Sequence, residues 1–109
     1  MSEQALTTVV RRGEGSFRLE LAGELDLHGV DHLAARVVEA LTAEGVDRVD
    51  VDLSDLRFID SSGIQALLRA QAQVRKARVG FQVVAVSRAV ERVMDLAGLG
   101  DTLRPADPG

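Results

Sequence analysis

Asp60-Ser61-Ser62-Gly63 holds two hydroxyls in a row, an acid before them and a glycine after them, and an amphipathic run follows from Ile64 onward. A serine at a helix start commonly caps it: its oxygen accepts a bond from an otherwise unpaired backbone N–H and stabilises the helix by about 1 kcal/mol. One serine suffices for that. The other is left to present its hydroxyl to solvent at the positive end of a helix dipole, a place that tolerates a phosphate. Gly63 would also let a partner approach the backbone closely.

Other chemistries fit the sequence less well. A catalytic serine requires a general base and an orienting acid, and in α/β hydrolases a G-x-S-x-G elbow. That elbow is absent, and the only histidines, His28 and His32, fall near the start of an earlier helix. No catalytic residue, and no enzyme, is expected. His28 and His32 are four apart and could share a helix face as metal ligands, but no third ligand and no cysteine accompanies them. They read as solvent-exposed histidines, with no metal or other cofactor. Gly13-Glu14-Gly15 precedes a strand, whereas a dinucleotide fingerprint must open a helix. Asp50 and Asp52 resemble half of an acidic receiver pocket, yet the sole lysine, Lys76, sits inside a helix and cannot complete it. Their alternation with Val49, Val51 and Leu53 points them to a wet face instead. Glu24 and Asp26 read as turn residues on the same rim as Ser61.

The elements that must position these groups follow from periodicity. Thr7 to Arg11 is β-branched, Gly13-Glu14-Gly15 is a turn, and Phe17 to Leu21 alternates apolar with charged, so an N-terminal hairpin is expected. From Val30 the apolar positions Val30, Leu33, Ala34, Val37 and Leu41 take helical spacing, with Gly45 placed to cap the end and Val46 to close back on Leu41. Val49 to Leu53 alternates again as a strand, a loop runs from Ser54 to Asp60, and a helix starts at the serine pair. Phe81 to Val86 is a nearly continuous apolar run, as in a strand at the middle of a sheet. Ser87 offers an N-cap to a last helix carrying Val90, Val93, Met94 and Ala97, with Gly98 as its C-terminal cap and Leu99 placed to pack on Met94.

The order predicts an α/β fold with a small mixed sheet of four to five strands. An antiparallel hairpin is followed by parallel β-α-β-α-β-α, with helices mainly on one face. Strand-to-helix junctions then share one sheet edge, where open α/β folds place their sites. Three loops are expected to meet there: Gly23 to Gly29, Ser54 to Gly63, and Ser87-Arg88.

Composition sets the remaining bounds. The chain has 109 residues, 46% hydrophobic and 28% charged, with 13 basic against 17 acidic side chains. That describes one domain, residues 1–109, with an ordered core from about residue 7 to 103 and a flexible tail over 104–109 containing both prolines. The net charge of −4 and the lack of Trp and Tyr argue against a nucleic-acid partner. No cysteine calls for an oxidising compartment, and no run approaches the roughly 18 apolar residues of a membrane span. A cytoplasmic location without membrane contact is expected.

Three stretches together resemble a known family. Leu21-Ala22-Gly23-Glu24-Leu25-Asp26 is the first, and Asp52-Leu53-Ser54 leading to Phe58-Ile59-Asp60-Ser61-Ser62-Gly63 is the second. The third is Val86-Ser87-Arg88-Ala89-Val90 with Leu96-Ala97-Gly98-Leu99. In order and spacing they are similar to the STAS family, and within it to the bacterial anti-sigma factor antagonists, or anti-anti-sigma factors.

The resemblance implies a protein-interaction switch. The unphosphorylated antagonist would bind an anti-sigma factor that is also a GHKL-type serine kinase, releasing a sigma factor for transcription. The kinase would phosphorylate Ser61, with Ser62 as second choice, and a PP2C-type phosphatase would restore the hydroxyl. Partner contacts would come from Glu24, Asp26, Leu27, His28, Asp60, Ser61, Ser62, Gly63, Ile64, Ser87 and Arg88, on a monomer or weak homodimer. The sequence departs from the family pattern at Gln65, where a second glycine is common, and at Gly29-Val30, which replaces Thr-Ala. The alternative within the same fold is a non-switching interaction subunit, either an accessory of a lipid-transport ATPase or a stress-signalling scaffold. Ser61 would then be only a cap and contact residue.

Overall fold

The computed structural model describes residues 5–103; the expected tail over 104–109 lies outside the described residues. Strand β1 (Thr7–Arg12) turns back through Gly13-Glu14-Gly15 into β2 (Ser16–Leu25). A 3-10 turn (Leu27–Gly29) leads into α1 (Val30–Thr42), followed by β3 (Arg48–Ile59), α2 (Ser61–Lys76), β4 (Gly80–Val86) and α3 (Arg88–Leu96). The sheet order is β1-β2-β3-β4, with β1 antiparallel to β2 and the other pairs parallel. The expected hairpin and βαβα connectivity are found, with four strands among the described residues.

Alternation divides the sheet into a dry and a wet face. Phe17, Leu19 and Leu21 of β2 and Val49, Val51 and Leu53 of β3 are buried, in register as Phe17 opposite Val49 and Leu19 opposite Val51. They join Leu33, Val37 and Ala40 of α1, Leu67 and Val74 of α2, and Val90 and Met94 of α3 in one core. The residues between them face the other way and pair with one another. Arg18 donates to Asp52 at 2.6 Å and to Glu20 at 3.2 Å, Arg11 reaches Glu20 at 3.1 Å, and Arg48 reaches Asp50 at 3.1 Å. Burial pushes the Asp52 carboxyl up. The Ser54 hydroxyl and backbone N–H, together with Arg18, outweigh it and hold Asp52 below the usual carboxylate range.

The structure corrects several boundaries. Ser54 to Ile59 is strand, not loop, because β3 carries two extra residues relative to β2. Glu20 and Ala22 face Asp52 and Asp55, and Gly23 and Glu24 face Leu56 and Phe58. Each insertion bends the strand and resets its alternation, so the buried positions run Leu53, Leu56, Ile59 and lose period two. Asp52 braces the first bulge by accepting from Ser54 N at 2.8 Å and from Ser54 Oγ at 2.6 Å. β2 likewise continues past Leu21 to Leu25, so Gly23 and Glu24 belong to a strand.

β4 is an edge strand and not a central one. A continuous apolar run reports what covers a strand's faces, and Phe81 and Val86 pack on the core without a further strand beside them. α1 ends at Thr42, whose hydroxyl donates to the Val38 carbonyl at 2.9 Å, and Ala43 is already extended. Gly45 therefore lies beyond the helix and does not cap it. In the same helix Ala34 is exposed and Ala40 takes the buried position. The close of α3 is as expected: Gly98 adopts φ 77, Leu99 N donates to Met94 O at 2.9 Å, and Gly98 N donates to Asp95 O at 3.1 Å, the paired bonds of a Schellman motif.

Candidate functional site

β2, β3 and β4 each hand over to a helix at the same edge of the sheet, so three helical starts share one rim. Their caps are Asp26, Asp60 and Ser87. The bulges in β3 bring Ile59 level with Leu25, and Asp60 N donates to the Leu25 carbonyl at 3.3 Å. The first turn of α2 thus rests on the end of β2.

Gly63 is what permits that contact. A Cβ there would fall inside the contact distance of the Leu25 carbonyl oxygen and lie 2.8 Å from Ile59 Cγ1. The glycine accommodates the chain's own backbone and is buried, as is Ile64. Both are among the expected partner contacts, and the structure places them in the packed layer behind the rim.

The cap of α2 is Asp60 and not a serine. Its Oδ1 accepts from Gly63 N at 3.0 Å, and its extended backbone places the carboxylate over the open end of the helix. The acid before the serine pair thereby takes the bond that a serine would otherwise make. Ser61 is exposed and Ser62 half-buried, at the positive end of a 16-residue helix.

Ser87 differs. Its Oγ accepts from Val90 N at 3.3 Å and donates to the Leu56 carbonyl at 2.6 Å. That hydroxyl is fully engaged in joining α3 to β3, which removes it from the expected contact set as a free group. Arg88, next along, is exposed.

Asp26 caps the 3-10 turn by accepting from His28 N at 3.0 Å. Leu27 is 70% exposed and the His28 side chain 94% exposed. Glu24 is half-buried on β2, opposite Phe58 of β3. Phe58 is 46% exposed on the rim. The second bulge of β3, between Leu56 and Phe58, sets this outward orientation.

The histidines have parted. His32 is half-buried, with Nε2 3.0 Å from Thr8 Oγ1, and Arg36 Nε donates to the same oxygen at 2.9 Å. The expectation of an exposed His32 gives way to a link between α1 and β1. Among the described residues no group of three His, Asp or Glu side chains gathers to hold a metal. A cleft of about 600 Å³ is lined by Ala22, Gly23, Ser54, Asp55, Arg57 and Ala89 among others, and does not include Ser61. No helix among the described residues is long and apolar enough to cross a membrane.

A family model described as Mlab, STAS domain, matches residues 8–105. The anti-sigma F factor antagonist of Paenibacillus polymyxa is 29% identical over 85 residues, covering 78% of this chain and 73% of that one. The anti-sigma-B factor antagonist of Bacillus subtilis (strain 168) is 26% identical over 94 residues, covering 86% and 84%. Among solved structures, the anti-sigma factor antagonist SpoIIAA in its unphosphorylated form superposes with a TM-score of 0.74 at 23% identity, covering 94% of this chain and 90% of that one. The phosphorylated form of the Bacillus SpoIIAA gives 0.68 at 22%, covering 94% and 93%.

Proposed function

The chain belongs to the STAS domain family, and from that premise we propose that it is an anti-sigma factor antagonist switched by phosphorylation at Ser61. Unphosphorylated, it binds an anti-sigma factor that is also a GHKL-type serine kinase and so frees a sigma factor. The kinase transfers the terminal phosphoryl group of ATP to Ser61 Oγ. The bond to ADP breaks as the new P–O bond forms, and the hydroxyl proton leaves to a base on the kinase. A PP2C-type phosphatase hydrolyses the ester and restores binding.

The observation that carries this reading is the capping of α2 by Asp60. It leaves the Ser61 hydroxyl exposed at a helix N-terminus with no structural bond to give up. The curated relatives bear the name anti-sigma factor antagonist, and SpoIIAA has been solved both without and with its phosphate. The contact rim is Glu24, Asp26, Leu27, His28, Asp60, Ser61, Ser62 and Arg88. Gly63, Ile64 and Ser87 hold its shape from behind. A non-switching subunit would explain Ser61 as a helix cap, and Asp60 already fills that role.

Electrostatics supplies the switch. A phosphate adds about −1.5 to −2 charges. At the start of α2 that charge favours the helix by about 0.3 to 1 kcal/mol, so the fold is expected to persist. Across an interface, two negative charges about 6 Å from a partner carboxylate cost on the order of 1 to 5 kcal/mol.

The test is the intact mass of the protein taken from its host, with phosphopeptide mapping across Ile59 to Arg69 and Ser61→Ala alongside. One phosphate on Ser61, absent from the variant, is expected. A phosphate retained by Ser61→Ala would move the acceptor to Ser62. None under growth, stress or stationary conditions would refute the switch.

A further inference from the structure

We propose that Asp60 decides which of the two serines accepts the phosphoryl group: by capping α2 itself, it keeps the Ser61 hydroxyl free to react. The inference rests on the switch proposed above and adds the residue that sets its specificity. Asp60 acts through the register of the helix start, not on the reacting atoms, so it is a positioning residue.

Asp60-Ser61-Ser62 offers three good capping residues in a row, and the bonds of Asp60 choose among them. Its N–H donates to the Leu25 carbonyl at 3.3 Å, its own carbonyl accepts from Ile64 N at 2.9 Å, and its Oδ1 accepts from Gly63 N at 3.0 Å. Asp60 is thereby tied to the end of β2 on one side and to the first turn of α2 on the other. Its backbone, at φ −111 and ψ −174, is the last extended one before the helix. Ser61 follows as the first helical residue and is exposed, while Ser62, the second, is half-buried.

The start of α3 shows the other arrangement. Val86 precedes Ser87 there, no acid is at hand, and the serine takes the cap itself by accepting from Val90 N at 3.3 Å. Without the Asp60 side chain, the cap of α2 would retreat by one residue in the same way. Gly63 stays seated on the Leu25 carbonyl, so the body of the helix has no cause to move and only its first residue unwinds. Ser61 then becomes the cap, its Oγ placed to accept from Ile64 N three residues on. Phosphoryl transfer uses an Oγ lone pair to form the new P–O bond as the bond to ADP breaks, and the hydroxyl proton leaves to a base on the kinase. A lone pair held by an N–H is less available for that attack, and Ser62, now first in the helix, carries the freer hydroxyl.

The experiment expresses wild type, Asp60→Ala, Asp60→Glu and Asp60→Asn in the host and divides the phosphate between Ser61 and Ser62 by fragmenting the tryptic peptide Phe58–Arg69. Asp60→Ala and Asp60→Glu are each expected to raise the Ser62-to-Ser61 ratio about five-fold, the value of one side-chain cap. The first lacks the capping oxygen, and the second keeps the charge but holds the oxygen one methylene too far. Asp60→Asn keeps the oxygen without the charge and should hold the wild-type ratio. A wild-type ratio in both Asp60→Ala and Asp60→Glu, with the two sites falling together, would overturn the selection and leave the switch standing, because a loosened helix alone gives that result. A shift in Asp60→Asn as large as in Asp60→Ala would also overturn it, by assigning the effect to the charge. Absence of phosphate from Ser61 of wild type would overturn both.

Discussion

Two helices begin at the same rim behind a serine-containing segment, and they use the serine differently. At α3, Ser87 is the cap; its oxygen accepts from Val90 N while its hydrogen goes to the Leu56 carbonyl. At α2, Asp60 is the cap, and the two serines that follow are left outside it. The first serine is structural and cannot be modified without loosening α3 from β3. The second is dispensable to the fold and sits in a favourable field for negative charge. Moving the capping function one residue upstream, onto an acid, is what makes a serine available for chemistry.

Substitutions test that contrast. The largest effect is expected from Gly63→Ala, since the added methyl meets a backbone carbonyl, which cannot swing aside as a side chain can. A loss of about 3 kcal/mol in denaturant unfolding is expected, and a wild-type midpoint would mean that α2 does not rest on Leu25. Ser87→Ala removes a cap and leaves the Leu56 carbonyl without its donor. Together these should cost about 2 kcal/mol, against a change within about 0.5 kcal/mol for Ser61→Ala. Equal costs for the two serines would erase the distinction. Asp60→Ala should cost about 1 kcal/mol through the lost cap, and Asp60→Asn should recover most of it.

A smaller effect lies on the wet face, away from the rim. Asp52 has a depressed carboxyl, so its contribution is present above the unfolded-state value near 4 and is lost as pH falls through the lower folded value. Asp52→Asn should remove this part of the acid-induced loss and lower stability at neutral pH by about 1 kcal/mol. Urea unfolding at pH 7 and pH 3 would measure it. An unchanged pH dependence in the variant would assign the acid limb to other carboxylates.

The contrast between the two serines was half legible in the sequence. Ser87 was read as a cap because a polar residue follows an apolar strand and precedes an amphipathic helix, and Gly98-Leu99 closes that helix by a pattern with a direct backbone meaning. At α2 the same signal was ambiguous, since Asp60 and both serines are all good caps. Only the backbone conformation chose among them. Periodicity located the starts of β2 and β3 and most buried positions of the helices, with Ala34 and Ala97 exposed instead. It failed where the chain departs from it: two bulges carry β3 on to Ile59 and turn Phe58 outward. Edge position in β4 and the tie of His32 to Thr8 depend on residues far apart in the chain, for which a single sequence carries no local signal.

The central claim is that Ser61 is a charge switch read at the surface. It is tested most directly by calorimetric titration of the proposed host kinase, using the unphosphorylated protein and the same protein phosphorylated at Ser61. Binding weakened by roughly ten- to several-thousand-fold, with the melting temperature of the phosphorylated protein unchanged or slightly raised, is the expected result. Equal affinity for the two forms would contradict the account.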